Sequence, residues 1–150
     1  MRCLLCKMRK LLFVFLLMGL LVSTATAQSV SESTIAKREA RQGMVVKEWN
    51  TPVGAKQAFL DHVTSYDSLG RKIEEIEYAS YGQKSRVVSE YPANSDVSAK
   101  VSREIEYNDR DKVIRIRKFE YYPDGSKKRQ LNYYPNGKLE SVKEFEYISK

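Results

Sequence analysis

Short half-apolar runs recur along the second half of the chain, and each run follows a turn-forming segment. The runs contain Val, Ile, Tyr and Phe, which suit a pleated sheet surface. The segments before them contain Asp, Asn, Pro and Gly. Asn-Gly and Asp-Gly pairs favour tight hairpins, because their left-handed backbone angles match the twist of paired strands. The five runs are IEEIEY (73–78), SRVVSEY (85–91), VIRIRKFEY (113–121), KRQLNYY (128–134) and LESVKEFEY (139–147).

Two of these segments repeat one another. Residues 112–121 align without a gap to residues 138–147, at an offset of 26. A recurrence of this kind is typical of repeat architectures, in which each unit mainly contacts its neighbours. The last run also tolerates a helix, since Leu, Glu, Lys and Ser are acceptable at helical positions. Its short length and its Asn-Gly turn favour a strand.

Three further segments complete the organisation of the chain. MVVKEW (44–49) predicts a first strand, and PANSDVSAK (92–100) predicts a longer loop between hairpins. The polar residues 28–43 predict a linker or a frayed helix. We therefore expect an all-β fold in residues 44–150, an antiparallel β-meander of serial hairpins that forms an extended twisted sheet.

The strand predicted at 113–121 has no cleanly apolar face. Alternation places Arg115, Arg117 and Tyr121 on one side, and Lys118 and Tyr122 on the other. Long charged stems and tyrosine rings are therefore expected on both sides of the sheet. The partner-binding surface predicted from this pattern comprises Tyr107, Arg115, Arg117, Tyr121, Tyr122, Tyr133 and Tyr134.

The N-terminal residues have the features of a secretory signal peptide. Met1–Lys10 is basic and free of acids, Leu11–Val22 is an apolar run of twelve residues, and the small residues that end at Ala27 have the A-x-A form. Twelve helical residues span about 18 Å, less than the roughly 30 Å of a bilayer core. The sequence predicts a signal peptide (1–27) that is cut before Gln28, with no stable transmembrane anchor afterwards. The exported protein is expected in the periplasm, at the cell surface or in the medium.

Removal of the signal peptide changes the charge and the cysteine content. The chain has 26 Lys and Arg against 19 Asp and Glu. Four of the bases precede residue 11, so the exported part keeps a net charge of about +3 rather than +7. Such a mixed surface does not indicate nucleic-acid binding. Cys3 and Cys6 also leave with the signal, so no disulfide or cysteine-based metal site is expected in the exported protein.

The turn-and-strand motifs resemble two families of β-repeat. YDSLGRKIEEIEY (66–78) resembles a YD repeat of the RHS type. YYPDGSKKRQLNYYPNGKLES (121–141) resembles the variant MORN repeat of bacterial exported and antitoxin-like proteins. The resemblance covers about residues 63–147, and Asp111 departs from it by replacing a turn glycine. The resemblance implies antiparallel hairpins in series that serve scaffolding or binding, and it supplies no catalytic residues.

His62 and a group of glutamates are the other candidates for chemistry. His62 is the only histidine, and its neighbour Asp61 would point to the opposite face of a strand, so we expect a surface histidine. Glu74, Glu75 and Glu77 could act as an acid–base group on a glycan. Basic residues are interleaved with them, which favours a solvated strand with charge pairs. We predict no catalytic residue, no metal site and no cofactor.

Three functions follow from these observations. The sequence favours a non-enzymatic binding or structural module that presents a sheet rich in Tyr, Arg and Lys to an envelope protein or polysaccharide. The second hypothesis is an immunity or antitoxin-like protein that covers a toxin with its sheet. The third is a glycan-acting enzyme that uses the glutamates at 74–77.

Overall fold

A computed structural model describes residues 30–148 of the protein. The predicted signal peptide and its cleavage point at Ala27 and Gln28 lie outside the described residues. Within the described range, no helix is long and apolar enough to cross a membrane. Residues 30–148 form one helix and eight strands: α1 (Glu32–Glu39), β1 (Val45–Asn50), β2 (Phe59–Tyr66), β3 (Lys72–Ala79), β4 (Gly82–Glu90), β5 (Arg103–Tyr107), β6 (Val113–Tyr121), β7 (Lys127–Tyr133) and β8 (Leu139–Glu144).

The eight strands form one open antiparallel sheet in the order β1-β2-β3-β4-β5-β6-β7-β8. Each strand therefore pairs with the strands that precede and follow it in the sequence. The prediction of an all-β antiparallel meander is confirmed. The run LESVKEFEY supplies strand β8 rather than a helix, because it pairs with β7 in a register that sets Leu131 opposite Val142.

The sheet is a single layer with little conventional core. Ala99 is the one buried apolar side chain among residues 30–148. The buried polar side chains in that range are Thr64, Ser89 and Asn132. Stability must come mainly from the backbone ladders, from cross-strand side-chain pairs and from long side chains that lie over their neighbours.

Asp and Asn side chains fix the hairpin turns. Oδ1 of Asp67 accepts hydrogen bonds from the backbone N–H groups of Leu69 (2.9 Å) and Arg71 (2.8 Å). Asn108 makes the same kind of contact in the β5–β6 turn, to two backbone N–H groups at 3.0 Å. Asp111, which replaces the turn glycine there, adopts a left-handed conformation with φ of 55°. An Asp at this position tolerates the conformation that glycine would otherwise supply.

Helix α1 lies against turns and loops at one end of the sheet. Nη1 of Arg38 donates hydrogen bonds to the carbonyl oxygens of Val97 and Ala99, the latter at 2.7 Å. A Cβ atom built on Gly70 would come within 1.7 Å of the Arg38 carbonyl oxygen, so this glycine lets the helix approach the β2–β3 turn. The segment expected to be a linker or a frayed helix therefore contains a helix that is held through polar contacts, although none of its side chains is buried.

Candidate binding surface

The two sides of the sheet differ in chemistry. One side carries Val88, Ile105, Ile116 and Tyr133, which are direct partners across strands β4 to β7. We call this side the apolar face. The other side, the polar face, carries a parallel row of direct partners across strands β4 to β8: Ser89, Glu104, Arg117, Asn132 and Ser141.

Charged stems partly cover the apolar face. The guanidinium carbon of Arg86 lies 4.1 Å from the ring centroid of Tyr107. Nζ of Lys118 lies 5.3 Å from the ring centroid of Tyr133. These cation–π contacts shield the rings while their charged groups remain near water.

A shallow depression of about 270 Å³ lies on the polar face. It is lined by Arg115, Arg117, Gln130, Asn132, Glu140, Ser141 and Lys143. Strand alternation places the first two of these on the same face of β6. The cross-strand register then sets residues of β7 and β8 beside them.

The two arginines of the depression are held differently. Arg117 donates to the carboxylate of Glu106, and its Nη1 lies 3.4 Å from Oε2 of Glu104. Its side chain is 22% exposed. Arg115 makes looser ion pairs, with N–O distances of 3.7 Å to Glu106 and 3.8 Å to Glu140, and its side chain is 45% exposed. Arg117 is therefore fixed by acidic partners, whereas Arg115 can turn toward a ligand.

The floor of the depression consists of oriented amide and hydroxyl groups. Nε2 of Gln130 donates to Oδ1 of Asn132 at 2.9 Å, and Nδ2 of Asn132 donates to Oγ of Ser141 at 2.9 Å. Lys143 stands at the rim and forms no ion pair within residues 30–148. Guanidinium, ammonium, amide and hydroxyl groups together suit carboxylate and hydroxyl groups of a ligand.

The predicted surface residues do not share one face. Arg115 and Arg117 lie in the depression, whereas Tyr107 and Tyr133 belong to the apolar face. Tyr134 is 45% exposed in the β7–β8 turn. The ring of Tyr122 meets that of Tyr147 edge-on at 6.4 Å. Of the predicted set, the structure therefore brings together only the two arginines in the depression.

Tyr121 braces the segment that leads into strand β5. Its hydroxyl donates to the carbonyl oxygen of Val101 at 2.7 Å, and burial raises the pKa of Tyr121 to about 12. The hydroxyl of Tyr147 donates to the carbonyl oxygen of Lys127 at 3.0 Å. The two donors, Tyr121 and Tyr147, are 26 residues apart in the sequence, and so are the two acceptors, Val101 and Lys127. This spacing equals the offset of the sequence match. Tyr91 makes a comparable bond to the Lys72 carbonyl oxygen at 3.1 Å.

Arg71 of the YD-like segment fastens the loop between β4 and β5. Its Nη1 donates to Oγ of Ser95 at 2.8 Å, and its guanidinium carbon lies 4.5 Å from the ring centroid of Tyr91. Its Nε lies 2.8 Å from Oδ2 of Asp67. Burial opposes ionisation of Asp67, but hydrogen bonds from the backbone and side chain of Arg71 outweigh that effect and lower its pKa.

The glutamates at 74–77 all have basic partners. Glu74 lies 3.3 Å from Arg86, and Glu75 lies 2.8 Å from Lys72. Glu77 lies 2.7 Å from Lys84, and the hydrogen bond from that lysine lowers the pKa of Glu77. Each carboxylate thus lies beside a base. This arrangement matches the charge-paired strand that the sequence predicts.

His62 pairs with Glu77 across β2 and β3. Its Nδ1 lies 3.3 Å from Oδ2 of the adjacent Asp61, but outside hydrogen-bond geometry. In residues 30–148, no group of three or more His, Cys, Asp or Glu residues is arranged to hold a metal ion.

Sequence reasoning missed five residues of the depression: Gln130, Asn132, Glu140, Ser141 and Lys143. The alternation of side chains along β7 and β8 could be predicted from the sequence. The register that sets these strands beside β6 could not. No protein-family model matches this chain, and no curated protein matches it.

Proposed function

We propose that the protein is an exported, non-enzymatic binding module whose polar face holds an acidic partner of the cell envelope. The observation that carries this proposal is the depression in which Arg115 and Lys143 surround oriented amide and hydroxyl groups. The resemblance to YD and MORN-type repeats supports a scaffolding or binding role, and the N-terminal signal supports export.

The chemistry of the depression favours a chain that carries carboxylates. Arg115 is the most available cation, since its present ion pairs are long and its side chain is 45% exposed. A ligand carboxylate could replace those partners without moving Arg117, which is held by Glu104 and Glu106. The amide of Gln130 and the hydroxyl of Ser141 offer further hydrogen bonds to ligand oxygens. An acidic polysaccharide and an acidic protein segment share this chemistry.

The depression is shallow and lies on an open sheet, which suits an extended ligand better than a small enclosed one. Binding of this kind depends on charge in a solvated site. We therefore expect the affinity to fall as the salt concentration rises.

Titration against two acidic chains tests the proposal. The full gene product is expressed with its leader, purified in the form that export leaves, and titrated calorimetrically with oligogalacturonate and with a poly-glutamate peptide. We expect saturable binding of at least one chain, weakened on the order of tenfold by Arg115→Gln.

Arg129→Gln is the matched control. The Arg129 side chain is also 45% exposed and is also ion-paired, to Glu144 at 3.0 Å. It lies on the apolar face, beyond the depression. Equal losses in the two variants would show general charge attraction rather than a site, and absence of binding to either chain would refute the acidic-partner proposal.

A further inference from the structure

The sheet has two free edges within the described residues. Strand β1 pairs with β2 alone, and strand β8 pairs with β7 alone. An unpaired edge presents backbone N–H and C=O groups that can pair with another strand. Since strand direction alternates along the meander, β1 of a second copy would lie antiparallel to β8 and would continue the sheet.

The side chains at the two edges are complementary in charge. Lys143 lies on the polar face, opposite Gln130 of β7. Glu48 lies on the same face at the other edge, opposite His62 of β2. In the register that sets Lys143 opposite Glu48, both of these charges gain a partner of opposite sign.

The same register matches the apolar face as well. It sets Glu144, which is paired with Arg129 across β7, opposite Lys47. The next position sets Val142 opposite Trp49, and these side chains are 44% and 61% exposed. Within residues 30–148, no ion pair engages Lys47, Glu48 or Lys143.

Other edge pairings lack this match. A shift of two residues, which keeps the faces matched, sets Lys143 opposite Val46 or Asn50 and loses both pairs of opposite charge. Two copies could instead pair β1 with β1 about a two-fold axis. The two central registers of that pairing set Lys47 opposite Lys47, or Glu48 opposite Glu48. Like charges directly opposite one another are unfavourable.

We propose that β8 of one copy pairs with β1 of a second copy in this register, so that the protein assembles head to tail through its sheet edges. The contact is heterologous, and repetition of it extends the meander across successive copies. The polar face then becomes a longer strip that carries one depression per copy. Lys143 lies both at the rim of the depression and at the joint. The joint itself is made by backbone edges and by Glu48, Lys47 and Glu144, so assembly requires no ligand and is tested in its absence.

A charge-reversal series tests the contact. The full gene product, purified in the form that export leaves, is followed by sedimentation velocity at increasing concentration. We expect the wild type to form species larger than a monomer. Glu48→Lys or Lys143→Glu alone should weaken assembly on the order of tenfold, because like charges then face each other at every joint.

An equimolar mixture of the two variants keeps the test independent of folding defects. Each variant then offers edges that complement the other, so the mixture should assemble where each component alone does not. Lys112→Glu, a reversal at an exposed turn residue, should assemble like the wild type. A wild type that stays monomeric, single variants that assemble normally, or a mixture that fails to assemble would each overturn the proposal.

Discussion

The Tyr121 hydroxyl offers the clearest test of how this single-layer sheet is held together. Tyr121→Phe keeps the ring, which lies 6.5 Å from the Phe119 ring, and removes the 2.7 Å hydrogen bond to Val101. A net hydrogen bond contributes about 1 kcal/mol. We therefore expect the free energy of unfolding at pH 7 to fall by about 1 kcal/mol, with a fall in Tm of about 4 °C.

The difference in stability between wild type and Tyr121→Phe should also change with pH. Tyrosine in an unfolded chain has a pKa of about 10, and burial raises the pKa of Tyr121 in the folded protein to about 12. The stability that this protonated hydroxyl contributes is therefore complete below a pH of about 10 and is lost as the pH rises toward about 12. The gap between wild type and Tyr121→Phe should accordingly narrow in alkali.

Urea unfolding at neutral and alkaline pH measures both effects. Tyr147→Phe is the control, since that residue is 61% exposed and its 3.0 Å bond is open to water. We expect it to cost only a few tenths of a kcal/mol. Equal stability of Tyr121→Phe and wild type at neutral pH, or a gap that widens in alkali, would refute the bracing role.

Two further predictions concern the end of the sheet where α1 docks. Gly70→Ala should lower the free energy of unfolding by about 2 kcal/mol or more, because the position has φ of 69° and a Cβ would meet the Arg38 carbonyl. Gly137→Ala is the control, since that position has φ of 81° but open space around a Cβ. It should lower the free energy of unfolding by only about 1 kcal/mol in the same urea titration. Asp67→Ala should cost about 1–2 kcal/mol at pH 7. Because bonds from Arg71 lower the Asp67 pKa in the folded state, that cost should shrink as the pH falls below about 4, and a cost independent of pH would contradict the role of this carboxylate.

The strands were predictable where turn chemistry marks both ends. The run VIRIRKFEY coincides with β6 (Val113–Tyr121), because an Asn-containing turn precedes it and a Pro-Asp-Gly turn follows it. Strand β2 (Phe59–Tyr66) was not delineated, since Asp and His interrupt its apolar residues and no Asn-Gly or Asp-Gly pair stands before it. Local signals therefore sufficed for the fold class but not for every strand.

The roles of individual tyrosines could not be read from the sequence. Tyr121 and Tyr134 both stand beside a Pro-containing turn, yet one donates to a carbonyl 20 residues away and the other is 45% exposed. The difference depends on strand register, which is shifted by irregularities such as the one between Asn132 and Tyr133. The same dependence hid the partners of Arg115 in β7 and β8.

The depression on the polar face also follows from side-chain length rather than from a fold in the backbone. Asn132 and Ser141 are short and occupy adjacent strands, while Arg117 and Lys143 stand beside them on long stems. Asn132 is only 6% exposed although residues 30–148 place no second layer over it, because its longer neighbours close over it. In a one-layer sheet, depth arises wherever short polar residues lie between long ones. The sites on this protein are therefore set by the alternation of side-chain size across strands, so a substitution that lengthens a floor residue would remove the depression without altering the fold.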